Sequence, residues 1–333
     1  MYQDKSLYPL KFTPRLKERI WGGTRLKTVL NKKVKSNHCG ESWELSGVSG
    51  DISVVSNGFL KGNNLQELIE VYMGDIVGDS IYERFGTEFP ILVKFIDAQD
   101  DLSIQVHPDD KLAAERHGAY GKTEMWYVLE AGKDSNLIAG FNQKIDREKY
   151  VQALNDKKLK DFLNFEKVVA GDVFFIPAGR VHAIGKDILL AEIQQTSDVT
   201  YRIYDWDRVD DNGKPRELHT FLALDAIDYS LCDEYKTRYQ KPEQGTAEMV
   251  KCQYFTTNII CFGQPLEKNY QKLDSFVIYV CISGDCSIKW NADESMKIAK
   301  GDTILLPAVL DDVKLIPSEP TELLEVYINS HRT

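Results

Sequence analysis

The sequence predicts a mainly β protein built as two related small barrels, and three observations carry that reading. Short β-type runs bounded by Gly and Pro turn signals recur along the chain, as in an all-β barrel or sandwich. Helical periodicity interrupts them in only two or three places. A hairpin pattern in the first half then returns near the C-terminus. MWYVLEAGKDSNLIAGF and VVAGDVFFIPAGRVHAI are answered by FVIYVCISGDCSIKW and KIAKGDTILLPAVLDDVKL.

In chain order, the runs LYPLKFTP, SWELS, DISVVS, FPILVKFIDA, LSIQVH, MWYVLEA, DSNLIAGF, VVAGDVFFIPA, DILLAEIQ and VTYRIYDW read as strands. Leu65–Tyr72 has helical spacing, and Asp109-Asp110 after His-Pro read as the N-cap of a helix over DDKLAAERHG. Within 146–164, apolar Tyr150, Leu154, Leu159, Phe162 and Leu163 also fall at helical spacing. Asn155-Asp156 marks a break there, which predicts a surface helical hairpin. In each copy of the repeat a strand ends at a glycine turn, and a Gly-Asp turn feeds a strand ending in proline, Pro177 or Pro307. The first copy carries the helical insertion, at about residues 142–165, and the second begins near residue 240. The expected division is a metal-binding unit over 1–235 and a C-terminal unit over 236–333 whose copy of the repeat lacks counterparts of His107 and His182 and so the metal.

The 333 residues are 43% hydrophobic and 28% charged, ordinary values for a globular chain, with a formal net charge of -10. That acidity argues against nucleic-acid and anionic-membrane partners, yet leaves room for a local basic pocket that takes a small anion. The stretch MYQDKSLYPLKFTPRL has no apolar core of signal-peptide length, and no later run approaches the ~20 apolar residues of a membrane helix. A cytoplasmic location is expected. Cys39, Cys232, Cys252, Cys261, Cys281 and Cys286 form no CxxC pair and read as reduced thiols. Nothing in the sequence specifies an oligomeric state.

Two passages concentrate the chemistry. Gln105 and His107 are two apart and face one way on a strand, and Glu124 and His182 can join them if their strands are neighbours. Two imidazoles, a carboxylate and a neutral amide form an N/O donor set suited to zinc or another divalent first-row ion. Without a metal, such inward polar groups would need other partners. His38, His117, His219 and His331 read as structural.

The run G-x5-P-x-G-x2-H from Gly171 to His182 resembles the second motif of the cupin superfamily, and EMWYVLEAG from Glu124 resembles the end of its first. Cupins usually offer His-x-His where this chain has Gln-x-His. With the downstream Glu and His, that variant is similar to the zinc site of type I mannose-6-phosphate isomerases. RIWGG (Arg19–Gly23), GESWELS (Gly40–Ser46), ILVKFIDAQDDLSIQVHPDD (Ile91–Asp110), GKTEMWYVLE (Gly121–Glu130) and AEIQQTSDVTYRIYDWDR (Ala191–Arg208) extend the resemblance over most of residues 8–230. It implies two cupin-type jelly-roll barrels with a small helical insertion in the first, as in the shorter bacterial form of the enzyme. It also implies one Zn2+ per chain on Gln105, His107, Glu124 and His182, and the interconversion of mannose 6-phosphate and fructose 6-phosphate.

Such a reaction moves a proton between C1 and C2 of an open-chain sugar through an enediol(ate), which a divalent Lewis acid stabilises. Ser103 lies two residues before Gln105, and Lys122 two before Glu124. With Lys94, they can meet a phosphate dianion. Glu192 and Arg202 stand among apolar neighbours in DILLAEIQ and VTYRIYD, where a charge needs a partner or a role. The resemblance points to Arg202 as catalytic, while the base stays open between Glu192, a metal-bound hydroxide and a lysine, Lys122 among them. A structural Glu192–Arg202 ion pair is the plain alternative. Trp21 and Trp43 are expected to shape the pocket. Two rival functions share these residues: a cupin metalloenzyme of other chemistry such as an oxygenase, and a non-catalytic sugar-phosphate-binding cupin.

Overall fold

Every residue of the strand Ile91–Ala98 is buried, and so is every residue of Ile188–Gln195, which means that the sheet they share is covered on both faces. A computed structural model of the chain describes residues 6–209 and 213–332. Residues 1–5 of the N-terminal stretch read above lie outside that range. The shared sheet has seven antiparallel strands in the order Lys236–Thr237, Val173–Ile176, Glu124–Ala131, Ile188–Gln195, Ile91–Ala98, Arg15–Gly23, Cys39–Leu45.

One face of this sheet, with Ile96, Trp126, Phe174 and Leu190, packs on Leu137 and Ala139 of a five-stranded sheet. The order there is Tyr201–Tyr204, Ile104–Val106, His182–Ala183, Asn136–Phe141, Leu163–Lys167. The other face, with Val93, Phe95, Leu189 and Ile193, packs on Ile259, Ile278, Val280 and Leu324 of a six-stranded C-terminal sheet. That sheet in turn covers a four-stranded one through Ile260, Tyr279, Ile288 and Leu315. The protein is mainly β, as predicted, and each half is a facing pair of open sheets, none closed by hydrogen bonds. Strands cross between the halves at the N-terminus, where Leu10–Lys11 pairs with Thr303–Leu306.

The predicted helices form where their caps stand. Asn64 and Glu67 make a reciprocal capping box for Leu65–Tyr72, and the Asp109 side chain accepts from Leu112 N at 2.8 Å to open Asp110–His117. The insertion holds a helix over Arg147–Asn155, a break at Lys157 with φ 57°, and a 3₁₀ turn over Leu159–Phe162. Leu163, placed in that helical pattern by its spacing, begins a strand instead, since Leu163–Lys167 pairs with Asn136–Phe141. DISVVS yields only isolated bridges at Val54 and Val55. Three short helices, Gly74–Val77, Asp79–Phe85 and Thr220–Ala226, carried no sequence signal long enough to show a period.

Candidate metal centre and active site

Cross-strand register assembles the site. On the five-stranded sheet Arg202, Gln105 and His182 are direct neighbours across three strands. On the facing sheet Trp43, Lys94, Glu192 and Trp126 form a second row. Glu124 lies two residues before Trp126 and so shares its inward face, while His107 lies two beyond Gln105. The two rows meet in the gap between the sheets.

His107, Glu124 and His182 are fully buried, with ligand atoms all within 4.8 Å of one another. His182 Nε2 lies 3.5 Å from Glu124 Oε1 and 3.2 Å from Gln105 Nε2, and His107 Nε2 lies 3.6 Å from Glu124 Oε2. Both rings are anchored from behind: His107 Nδ1 donates to Val199 O at 3.0 Å and His182 Nδ1 to Arg180 O at 2.8 Å. That tautomer leaves both Nε2 lone pairs aimed at Glu124, the arrangement in which backbone carbonyls orient metal-binding histidines. Burial pushes both imidazoles below their usual range, His182 to about 3, so both are neutral at pH 7. Glu124 Oε1 is buried with no hydrogen-bond partner among the described residues. Rotating the Gln105 carboxamide exchanges its nitrogen for its oxygen at the same place. These donors fit a divalent ion, which would supply the positively charged partner that Glu124 Oε1 lacks.

Three cationic groups adjoin this cluster. Lys122 Nζ contacts Glu124 Oε2, lies 3.1 Å from His107 Nε2, and is 4.0 Å from Glu192 Oε1. Lys94 Nζ donates to Glu192 Oε1 at 2.9 Å and to Gln194 Oε1 at 2.6 Å, above the Trp43 ring. Trp126 Nε1 donates to Glu192 Oε2 at 3.0 Å, and its ring meets His182 edge-on at 5.4 Å. Burial works against an ionised Glu192, but the charges of Lys122 and Lys94 and the two donated hydrogen bonds outweigh it and hold the carboxyl below its usual range. Glu124 moves the other way, pushed up first by burial and then by the charge of Glu192. Arg202 Nη1 donates to Glu217 O at 2.8 Å, while its buried Nε has no partner among the described residues. The plain alternative, a Glu192–Arg202 pair, does not form; Glu192 pairs with Lys94.

A cavity of about 480 Å³ opens onto this cluster. Trp21, Lys94, Ser103, Gln105, Lys122, Glu192 and Arg202 line it, as does Trp43, while His107, Glu124 and His182 are sealed within. The structure thus brings all eleven residues singled out from the sequence to one place. It adds others that sequence reading passed over: Lys17, Asp198, Thr200 and Arg216. Arg216 Nε donates to Asp205 Oδ2 at 2.7 Å, and Arg208 Nη2 donates to Asp205 Oδ1 at 2.6 Å. Arg216 sits in the polar turn sequence DNGKPREL, which has no period and no motif to mark it.

A buried N/O donor set at the base of a cavity rich in lysine and arginine, between facing β-sheets, is the arrangement of a metal-binding enzyme pocket suited to a small anionic molecule. Residues 9–136 match the model of the type I phosphomannose isomerase catalytic domain. The chain is 37% identical to mannose-6-phosphate isomerase ManA of Bacillus subtilis, over 92% of this chain and 95% of that protein. It is 33% identical to the mannose-6-phosphate isomerase of Streptococcus mutans, over 94% and 99%. The crystal structure of mannose 6-phosphate isomerase from Bacillus subtilis superposes with a TM-score of 0.86 at 33% identity, covering 96% of this chain and 99% of that one. A phosphomannose isomerase variant from Salmonella typhimurium shares the fold at 16% identity, with a TM-score of 0.79. The chain belongs to the type I mannose-6-phosphate isomerases, a family of metalloenzymes.

Proposed function

We propose that this chain is an aldose–ketose isomerase that interconverts mannose 6-phosphate and fructose 6-phosphate, with one Zn2+ per chain on Gln105, His107, Glu124 and His182. The observation that carries the metal assignment is Glu124 Oε1, a buried carboxylate oxygen without a hydrogen bond, placed 3.5 Å from a neutral imidazole nitrogen. When bound, the ion supplies Lewis-acid polarisation of the sugar carbonyl and charge stabilisation for an enediol(ate). A neutral Gln105 in the set leaves more net positive charge for that purpose.

The remaining residues bind substrate and move the proton. In this reading Glu192, held ionised by Lys122, Lys94 and Trp126, takes the proton from one sugar carbon and returns it to the next. Lys122 shares that cavity wall and can protonate the sugar oxygens. Arg202 lines the cavity opposite Gln105 and offers its guanidinium to the substrate. The phosphate draws on Ser103, Lys94, Lys122, Arg202 and Arg216, and because Lys94 is already taken by Glu192 and Gln194, the cavity-lining Arg202, which forms no ion pair among the described residues, is the freer cation. Trp21 walls the cavity beside them.

Residues 1–235 form the metal-binding unit of this reading, with the insertion at about 142–165, and 236–333 a cupin-like unit without ligands. Net charge -10 speaks against nucleic-acid and membrane partners, no described helix is long and apolar enough to cross a membrane, and we place the enzyme in the cytoplasm. The test is a coupled isomerase assay with mannose 6-phosphate on zinc-loaded protein, run beside oxygen uptake on iron-loaded protein. Turnover in the first supports the proposal. Oxygen uptake alone would favour an oxygenase, and binding of the sugar phosphate without turnover would favour a non-catalytic cupin.

A further inference from the structure

We infer that the C-terminal half carries a second binding cavity, for a neutral polyol or unphosphorylated sugar, at the position that corresponds to the active site of the first half. The correspondence rests on register. Lys94, Glu192, Trp126 and Phe174 are cross-strand neighbours in that order in the seven-stranded sheet. Asn258, Glu325, Tyr279 and Ile304 are neighbours in the same order in the six-stranded sheet. The facing sheets repeat the relation, with Gln105 opposite His182 in one and Asn269 opposite Asp312 in the other. His182 and Asp312 each follow the proline that ends the preceding strand, Pro177 or Pro307, by five residues.

The metal ligands are gone from this copy. Val277 pairs with Leu306 where Glu124 pairs with Ile176, and an exposed Asp312 stands in the place of His182. The polar interior remains. Glu325 is 1% exposed and accepts from Asn258 Nδ2 at 2.7 Å, Tyr270 OH at 2.5 Å and Lys268 Nζ at 2.8 Å. Tyr270 in turn contacts the hydroxyl of fully buried Tyr279. Apolar residues of like volume commonly stabilise a fold as well as a buried ionic cluster does, so stability alone gives little reason for this one. Asn258, Lys268, Tyr270 and Glu325 also line a cavity of about 280 Å³, with Thr246 and His331 at its wall. That lies near the lower end of ligand pockets, about 300 Å³.

The chemistry of the wall selects the ligand. Lys272 also lines the cavity but is solvent-exposed, while half-buried Lys268 and buried Glu325 neutralise each other, which leaves the interior of the cavity without surplus charge for a phosphate dianion. Carboxylate, carboxamide and ammonium side by side pair with hydroxyls that both donate and accept. Tyr270, its ring beneath Lys268 Nζ, also lines the cavity and adds aromatic area beside these groups. None of this depends on the isomerase assignment.

Calorimetric titration of the metal-loaded full chain with mannose, fructose and mannitol tests the cavity, alongside Lys268→Met and Thr246→Trp. Thr246 is exposed on an edge strand, so the larger side chain can block the opening without entering a core. We expect saturable binding of one of these ligands at one site per chain. Lys268→Met should weaken it by roughly tenfold or more and Thr246→Trp should abolish it, with isomerase turnover unchanged in both. Absence of saturable binding, or binding that Thr246→Trp leaves intact, would overturn the inference.

Discussion

Lys94 and Glu192 stand directly opposite each other on neighbouring strands, Nζ to Oε1 at 2.9 Å, both buried between the sheets. Together with the charge of Lys122, the pair keeps a carboxylate charged where burial alone would neutralise it. Replacing Lys94 by Met breaks that ion pair and leaves the carboxylate with only Lys122 at 4.0 Å and the Trp126 N–H. Urea unfolding of the Lys94→Met protein should show a loss of about 3–5 kcal/mol, the cost of breaking one side of a buried pair. The double variant Lys94→Met/Glu192→Leu should recover most of that stability and remain inactive.

Trp126 gives Glu192 its other donated hydrogen bond. Trp126→Phe keeps an aromatic ring against His182 and removes the N–H that favours the charged carboxylate. The pKa of Glu192 should therefore rise, and the acid limb of the kcat/KM profile should move to higher pH. An unmoved limb with lowered kcat would mean that the Trp126 N–H does not tune the base.

Arg202 carries the one buried guanidinium nitrogen without a partner among the described residues. Arg202→Lys preserves the charge but has no fork and no Nε. Steady-state kinetics should show kcat/KM for mannose 6-phosphate reduced by roughly 10- to 100-fold, as expected for the loss of one or two charge-assisted hydrogen bonds.

Asp205 binds both Arg208 and Arg216, and although burial pushes its carboxyl up, the hydrogen bonds from Arg216 and Arg208 win and hold it below the usual range. A depressed carboxyl contributes stability in full above its unfolded value of about 3.9 and loses it as pH falls through the folded value. The gap in unfolding free energy between wild type and Asp205→Asn should hold constant from pH 8 to pH 5 and shrink below about pH 4. Chemical denaturation across that range measures it. The same substitution should raise KM for the sugar phosphate by loosening Arg216 at the cavity wall.

Much of the site was legible because its signals are short-range. Gln105 and His107 share a face through the two-residue period of a strand, and Gly171, Pro177 and Gly179 mark the turn that brings in His182. Capping residues Asn64 and Asp109 announced their helices in the same local way. The partners of Glu192 and Arg202 were not legible. Spacing along the chain cannot show that residue 94 lies opposite residue 192, since only sheet register decides it. Arg216 was missed for a related reason, as its place depends on its fork to Asp205. The four-residue helix Gly74–Val77 is too short to show a period.

The central claim is that Gln105, His107, Glu124 and His182 hold the ion on which isomerisation depends. The most direct test measures bound metal and turnover together, in wild type and His182→Ala, before and after chelation and zinc return. Wild type should lose and regain both in step, and His182→Ala should fold but hold no stoichiometric zinc and show no turnover. Full turnover in chelated wild type, or in metal-free His182→Ala, would contradict it.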